Sequence, residues 1–251
     1  VLFDGDVNPE GLALGYNDGA LLGSVFYTQL KENATSAEST MAGGQAGYRF
    51  ALSSDTRLLL AAGYFSYNKV RLQSPFYDGV SSFGNSLVNN TAGDPCFSAQ
   101  YSASTPKLCW GYQVTEGIAE YSTLVDNRPL MVYADYAHNS EAGNGLDTAY
   151  SVGFQYGRAS DPQTWEIGYY WQQVEKDALF AQYIDSDFGG GNTDARGGVI
   201  KAAYAPARNW TLNLTYFMNK TNLSSPAAVS GIGSVYNRDY KRLQLAANVK
   251  F

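Results

Sequence analysis

"KRLQLAANVKF", Lys241–Phe251, divides into two sets when read at every second residue. Phe251, Val249, Ala247, Leu245 and Leu243 form one; Lys250, Asn248, Ala246, Gln244 and Arg242 form the other. A period of two is the mark of a β-strand with one apolar and one polar face. Such a strand fits a soluble core with the apolar set inward. It fits equally a membrane-spanning sheet with the apolar set toward lipid. Which side holds the apolar set decides the fold.

The pattern recurs upstream. In "NWTLNLTYFMNK" (Asn209–Lys220), Trp210, Leu212, Leu214, Tyr216 and Met218 oppose Thr211, Asn213, Thr215 and Asn219, with Phe217 the exception. "TWEIGYYWQQ" sets Trp165, Ile167, Tyr169 and Trp171 against Glu166, Gly168, Tyr170 and Gln172, and "PLMVYADYAH" sets Leu130, Val132, Ala134 and Tyr136 against Met131, Tyr133, Asp135 and Ala137. "QAGYRFAL" places Tyr48 and Phe50 opposite Gly47 and Arg49. "LLGSVFYTQ", "RLLLAAGYFSY" and "GIAEYSTLV" are strand-like without a clear facing. The count is eleven strands and no helix.

The connections carry a second rhythm. Short turns at 17–19, 53–55, 126–128, 160–163 and 206–208 alternate with long polar links at 31–39, 69–116, 138–145, 176–196 and 220–238. In an up-and-down sheet alternate connections emerge on one side, so one end carries only tight turns and the other all the long loops. An outer-membrane barrel has that asymmetry; a Greek-key sandwich has no reason to obey it.

The aromatic residues settle the side. Tyr16, Phe50, Tyr156, Trp165, Tyr204, Trp210 and Phe251 cluster near the short turns, and Tyr136, Tyr150, Trp171 and Tyr216 lie toward the long loops, with aliphatic residues between. Two aromatic girdles around an aliphatic belt suit a bilayer. The opposite faces carry Arg49, Glu120, Asp135, Glu166, Lys201, Arg242 and Lys250, too many charges for a packed interior. With Tyr133 and Tyr170 they are expected to line a wet channel, the alternative being a closed lumen of mutual salt bridges. The expected fold is therefore all-β, an antiparallel up-and-down transmembrane barrel forming a single domain over residues 1–251. Closure in lipid calls for an even strand number of at least twelve, sixteen if the chain is a fragment. "VLFDGD" at the start fits the frayed end of a preceding strand, and the absence of a leader suggests a mature or truncated form.

The net charge of −6 and pI near 4.8 argue against nucleic acid as a partner. No run of apolar residues is long enough for a transmembrane helix. Cys96 and Cys109 in one polar stretch make a poor zinc site and a fair disulfide, which implies an oxidising compartment; the alternative is two free thiols. The link at 69–116 is expected to be a surface loop or to fold into the channel as a constriction. "DSDFGGGNTD" offers Asp185, Asp187, Asn192 and Asp194 as oxygen ligands suited to Ca²⁺, against a plain Gly-rich surface turn; no other cofactor is expected. His138 is the one histidine, with Ser140 nearby but no nucleophile motif, so a solvated loop histidine is expected rather than an enzyme.

A chain ending in Phe after an amphipathic strand resembles outer-membrane proteins generally, whose last strand is read by the barrel assembly machinery. "LFDGDVNPEGLALGY" (2–16), "KDALFAQYIDSDFGGGNTDARG" (176–197) and "NWTLNLTYFMN" (209–219) together resemble the "putative porin" family of proteobacterial outer membranes. The resemblance implies a bacterial outer-membrane location among lipid and lipopolysaccharide, and a water-filled channel for passive diffusion of small hydrophilic solutes or ions. It leaves open a homo-oligomer. The other reading is a non-conducting structural or adhesive barrel whose surface loops bind ligands.

Overall fold

The computed structural model of the chain describes residues 2–3, 10–32, 38–99, 101–102, 104–224, 227–229 and 233–250. Eleven strands form one antiparallel sheet in which every neighbour in sequence is a neighbour in space. They are β1 (Gly11–Asn17), β2 (Leu21–Lys31), β3 (Ser39–Ala51), β4 (Arg57–Asn68), β5 (Tyr112–Val125), β6 (Arg128–Asn139), β7 (Thr148–Gly157), β8 (Thr164–Val174), β9 (Ala195–Ala205), β10 (Trp210–Thr221) and β13 (Arg238–Val249). A separate hairpin, β11 (Ala227–Val229) with β12 (Gly233–Val235), sits in the connection before β13.

The alternation of connections holds throughout. Residues 18–20, 52–56, 126–127, 158–163 and 206–209 make the short turns, and 32–38, 69–111, 140–147, 175–194 and 222–237 the long links. Local chemistry fixes the turns. Asp126 and Asn127 both adopt positive φ, 50° and 59°, the geometry that a two-residue hairpin with native twist requires and that Asp and Asn tolerate. The Asp18 carboxylate accepts the N–H groups of Ala20 and Leu21 at 3.0 and 2.7 Å, and these bonds hold its pKa below the usual carboxylate value. The longest link is shorter than expected: Tyr112–Glu116 already belong to β5.

The two faces are inverted relative to a soluble protein. On the outer face Leu14 is 75% exposed and Leu245 72%, whereas on the inner face Ser151 and Gln172 are 0% and 1% exposed. In β10 the alternation is explicit: Trp210, Leu212 and Met218 are exposed while Phe217, Asn219 and Thr221 are buried. Soluble monomers rarely present so continuous an apolar surface to water.

Long links cover the inner face near their own end of the sheet. Tyr67, Tyr112, Val114, Ala149 and Val174 of the strands pack with Val70 and Leu108 of the 69–111 link and with Leu179, Phe180 and Ile184 of the 175–194 link. The Phe180 ring lies 5.0 to 5.8 Å from those of Phe76, Tyr112 and Tyr67. A second cluster seats Phe188 against Tyr170, Val199 and Phe217, which explains why Phe217 breaks the polar run of its face. The 175–194 link contains two short 3-10 turns, Ala181–Tyr183 and Phe188–Gly190.

The eleven strands do not close. Among the described residues β1 and β13 share no ladder, so both are edges, and the even count of at least twelve is not reached. Phe3 does not extend β1; it bridges Ile184 in the 175–194 link, beside a fully buried Leu2. Most of "VLFDGD" and the terminal Phe251 lie outside the described residues.

Candidate functional site

Register determines which side chains meet across the inner face, because residues paired in an antiparallel ladder point to the same side. One lateral row runs Arg49, Leu59, Glu120, Tyr133, Gly153, Tyr170, Val199, Phe217, Arg242. It gathers five residues expected from the sequence to share a wet lining: Arg49, Glu120, Tyr133, Tyr170 and Arg242. Asp135 lies one row toward the long links, level with Ser151, Gln172 and Asn219, all nearly inaccessible. Lys201 lies one row toward the short turns, and Glu166 one row further. Lys250 follows the end of β13, its N–H bonded to the Asn209 carbonyl at 3.0 Å.

Polar contacts knit this face together. Gln45 donates to Glu116 at 2.6 Å across β3 to β5, and the Ser122 hydroxyl donates to Glu120 at 3.1 Å. The Lys201 ammonium stands 5.5 Å over the Tyr170 ring, an attraction with the ring face. Arg242 pairs with Asp187 at 2.5 Å and Gln244 donates to the same carboxylate at 2.6 Å, so the 175–194 link is tied to the inner side of β13.

The long links are also tied to one another. Asn85 of the 69–111 link donates to the carbonyls of Lys176 and Leu179 at 2.8 and 2.9 Å and accepts the Ala181 N–H at 2.9 Å. Ser86 donates through its N–H (2.8 Å) and its hydroxyl (2.5 Å) to Asp177, which also accepts from Asn144 at 2.7 Å. Thr193 donates to the carbonyls of Lys176 and Phe83. Asp177 thus joins three links at one carboxyl group. Burial pushes its pKa up, against the pull of the Ser86 and Asn144 donors. Cys96 and Cys109 form a disulfide that packs with Trp110 against Ala142 of the neighbouring link. At the exposed Asp78, the Ser81 hydroxyl and the N–H groups of Ser81 and Val80 pull the carboxyl down to about 2.

Nothing in the sequence singles out Asn85, Ser86 or Asp177; they are ordinary residues of polar loops, and only the fold reveals the clasp. Each of the four calcium candidates has hydrogen-bond or ion-pair partners of its own. Asp185 accepts the Asp187 N–H, Asp187 binds Arg242 and Gln244, Asn192 donates to the carbonyls of Gly189 and Gly190, and Asp194 accepts the Ser224 N–H. Among the described residues no group of three or more acidic, histidine or cysteine side chains is placed to hold a metal. His138, at the end of β6, is 40% exposed and lies 3.8 Å from Asp147.

No curated protein matches the sequence. A family model described as "Putative porin" matches residues 116–249, from within β5 to the last residue of β13, and the chain belongs to that family.

Proposed function

We propose that the chain is an outer-membrane porin, its apolar face against lipid and its polar face around a water-filled path for passive diffusion of small hydrophilic solutes. The inverted burial carries this reading: exposed Leu, Val, Tyr and Trp outside, accessible charge within. In hydrocarbon the outer residues lose their liability, and the inner charges keep their hydration. Membership of the family supports the same role. The net charge of −6 favours cations over anions in transit, since fixed charge near a narrow aqueous path sets ion preference at short range. Planar-bilayer recording tests the proposal: discrete conductance steps with a cation-selective reversal potential are expected, and a protein that inserts but passes no current refutes it.

One observation favours a second reading. The 69–111 and 175–194 links are clasped together over the inner face, and a clasp that never opens makes a non-conducting barrel whose loops bind partners. Absence of current from the Asn85→Ala variant as well as from the native chain would select that reading.

A further inference from the structure

The docked links leave the short-turn end of the inner face open. There a recess of about 500 Å³ is bounded by the 52–56 turn and the ends of β5, β6, β7 and β8. Four charged side chains line it: Asp55, Arg57, Arg158 and Glu166. Two are positive and two negative, yet none is ion-paired with another. Among the described residues Arg57, Arg158 and Glu166 have no side-chain hydrogen-bond partner, and Asp55 accepts only from its neighbour Ser54. Ser122 and Gln155 add neutral polar groups, and Leu124, Pro129 and Met131 give the recess an apolar wall.

Balanced charges held apart around an open space differ from a solvated charge run. They also differ from the inner row above, where Arg242 is already matched by Asp187. A simple anion would answer the guanidinium groups and leave the carboxylates unmatched; a simple cation would do the reverse. A small solute that carries both charges answers all four, and an apolar substituent on it finds Leu124, Pro129 and Met131.

We propose that this recess is a binding subsite for small zwitterions with an apolar side chain, the chemical class of free α-amino acids such as phenylalanine or leucine. Arg57 and Arg158 receive the carboxylate, Glu166 and Asp55 the ammonium. The inference deepens the channel reading by naming a class of solute, but binding itself needs no current.

The test is isothermal titration of the detergent-solubilised protein with L-phenylalanine, N-acetyl-L-phenylalanine and L-phenylalanine amide. The first ligand should bind, and removing either charge should weaken binding about tenfold or more, the worth of one charge-assisted hydrogen bond. Arg57→Gln and Glu166→Gln should weaken it comparably. Arg128→Gln should not, because that guanidinium stacks 4.9 Å over Trp165 outside the recess. No heat with L-phenylalanine overturns the proposal, as does equal binding of the acetylated or amidated ligand, or an equal loss in Arg128→Gln. The ligand series needs no variant, so a misfolded mutant cannot shield the idea. Binding without conductance would sink the channel and leave the subsite; conductance without binding would do the opposite.

Discussion

Substituting Val132 by arginine tests the assignment of the outer face most directly. The outer side of β6 runs Leu130, Val132, Ala134 and Tyr136, bracketed by Arg128 at one end and His138 at the other. Ten residue steps at roughly 3.4 Å cover about 34 Å along the strand, or about 25 Å along the membrane normal at a tilt of about 45°, the height of an outward apolar band. Val132 stands near the middle of this band, 45% exposed and flanked in register by Tyr121 and Phe154. A guanidinium there should cost about 2–4 kcal/mol if lipid surrounds it. On a face bathed in water the same change costs no more than about 0.5 kcal/mol. Met131→Arg supplies the control, since Met131 lines the open recess beside Gln155 and should tolerate the charge within about 0.5 kcal/mol. Urea unfolding in phospholipid vesicles, followed by tryptophan fluorescence, measures both. Equal stability of the two variants, or a larger loss in Met131→Arg, refutes the facing.

Asn85→Ala strands the carbonyl of Leu179 and the N–H of Ala181, at about 1–3 kcal/mol for each buried group left unpaired, while the Lys176 carbonyl keeps its bond from Thr193. Limited proteolysis should then cut within 69–111 and single-channel conductance should rise; unchanged conductance in a cleavable variant would place the link outside the conducting path. Asp177 gives docking a pH dependence of defined sign. Because burial raises its pKa when docked, docking is strongest below the ordinary value of 3.8, declines as pH rises from there through the raised pKa, and is flat above it. Proteolysis rates across the acid range should follow that course and lose it in Asp177→Asn; docking that tightens as pH rises contradicts the sign. Reducing Cys96–Cys109 releases a loop with a sequence separation of 13, worth at most about 3 kcal/mol, and should expose the 96–109 segment to protease while the sheet's melting temperature holds. Added calcium or a chelator should leave the melting temperature unchanged, since no three acidic, histidine or cysteine side chains gather to hold a metal among the described residues; a shift would support the calcium site.

Strand faces are legible wherever the two environments differ in polarity. β6 and β10 alternate so clearly that the facing of Asp135, Tyr133 and Asn219 follows from parity alone. β5 is opaque for a physical reason. Its inner residues Tyr112 and Val114 are apolar because the long links pack on them, while Gln113, Thr115 and Gly117 occupy its outer side, so the contrast vanishes. Phe217 misleads in the same way, being an inner residue that serves Phe188. The alternation of turn and link lengths is legible because it is topological. The lateral row joining Arg49 to Arg242 is not, because register depends on turn geometry, where a slip of one residue reverses every face. Nor is the clasp: an asparagine that satisfies three backbone groups in a remote segment looks the same, in sequence, as one that faces solvent.

That remoteness bears on how the molecule is made. Asn85 meets Lys176 and Leu179 across 91 and 94 residues of chain, a separation whose closure entropy is unfavourable until intervening strands have brought the segments near. The ladder from β5 to β8 is therefore expected to zip first, and the clasp over the inner face to be fastened last. Between the two steps the inner face would lie bare, and trapping a channel of the proposed kind at that point should give it the widest aperture it can reach.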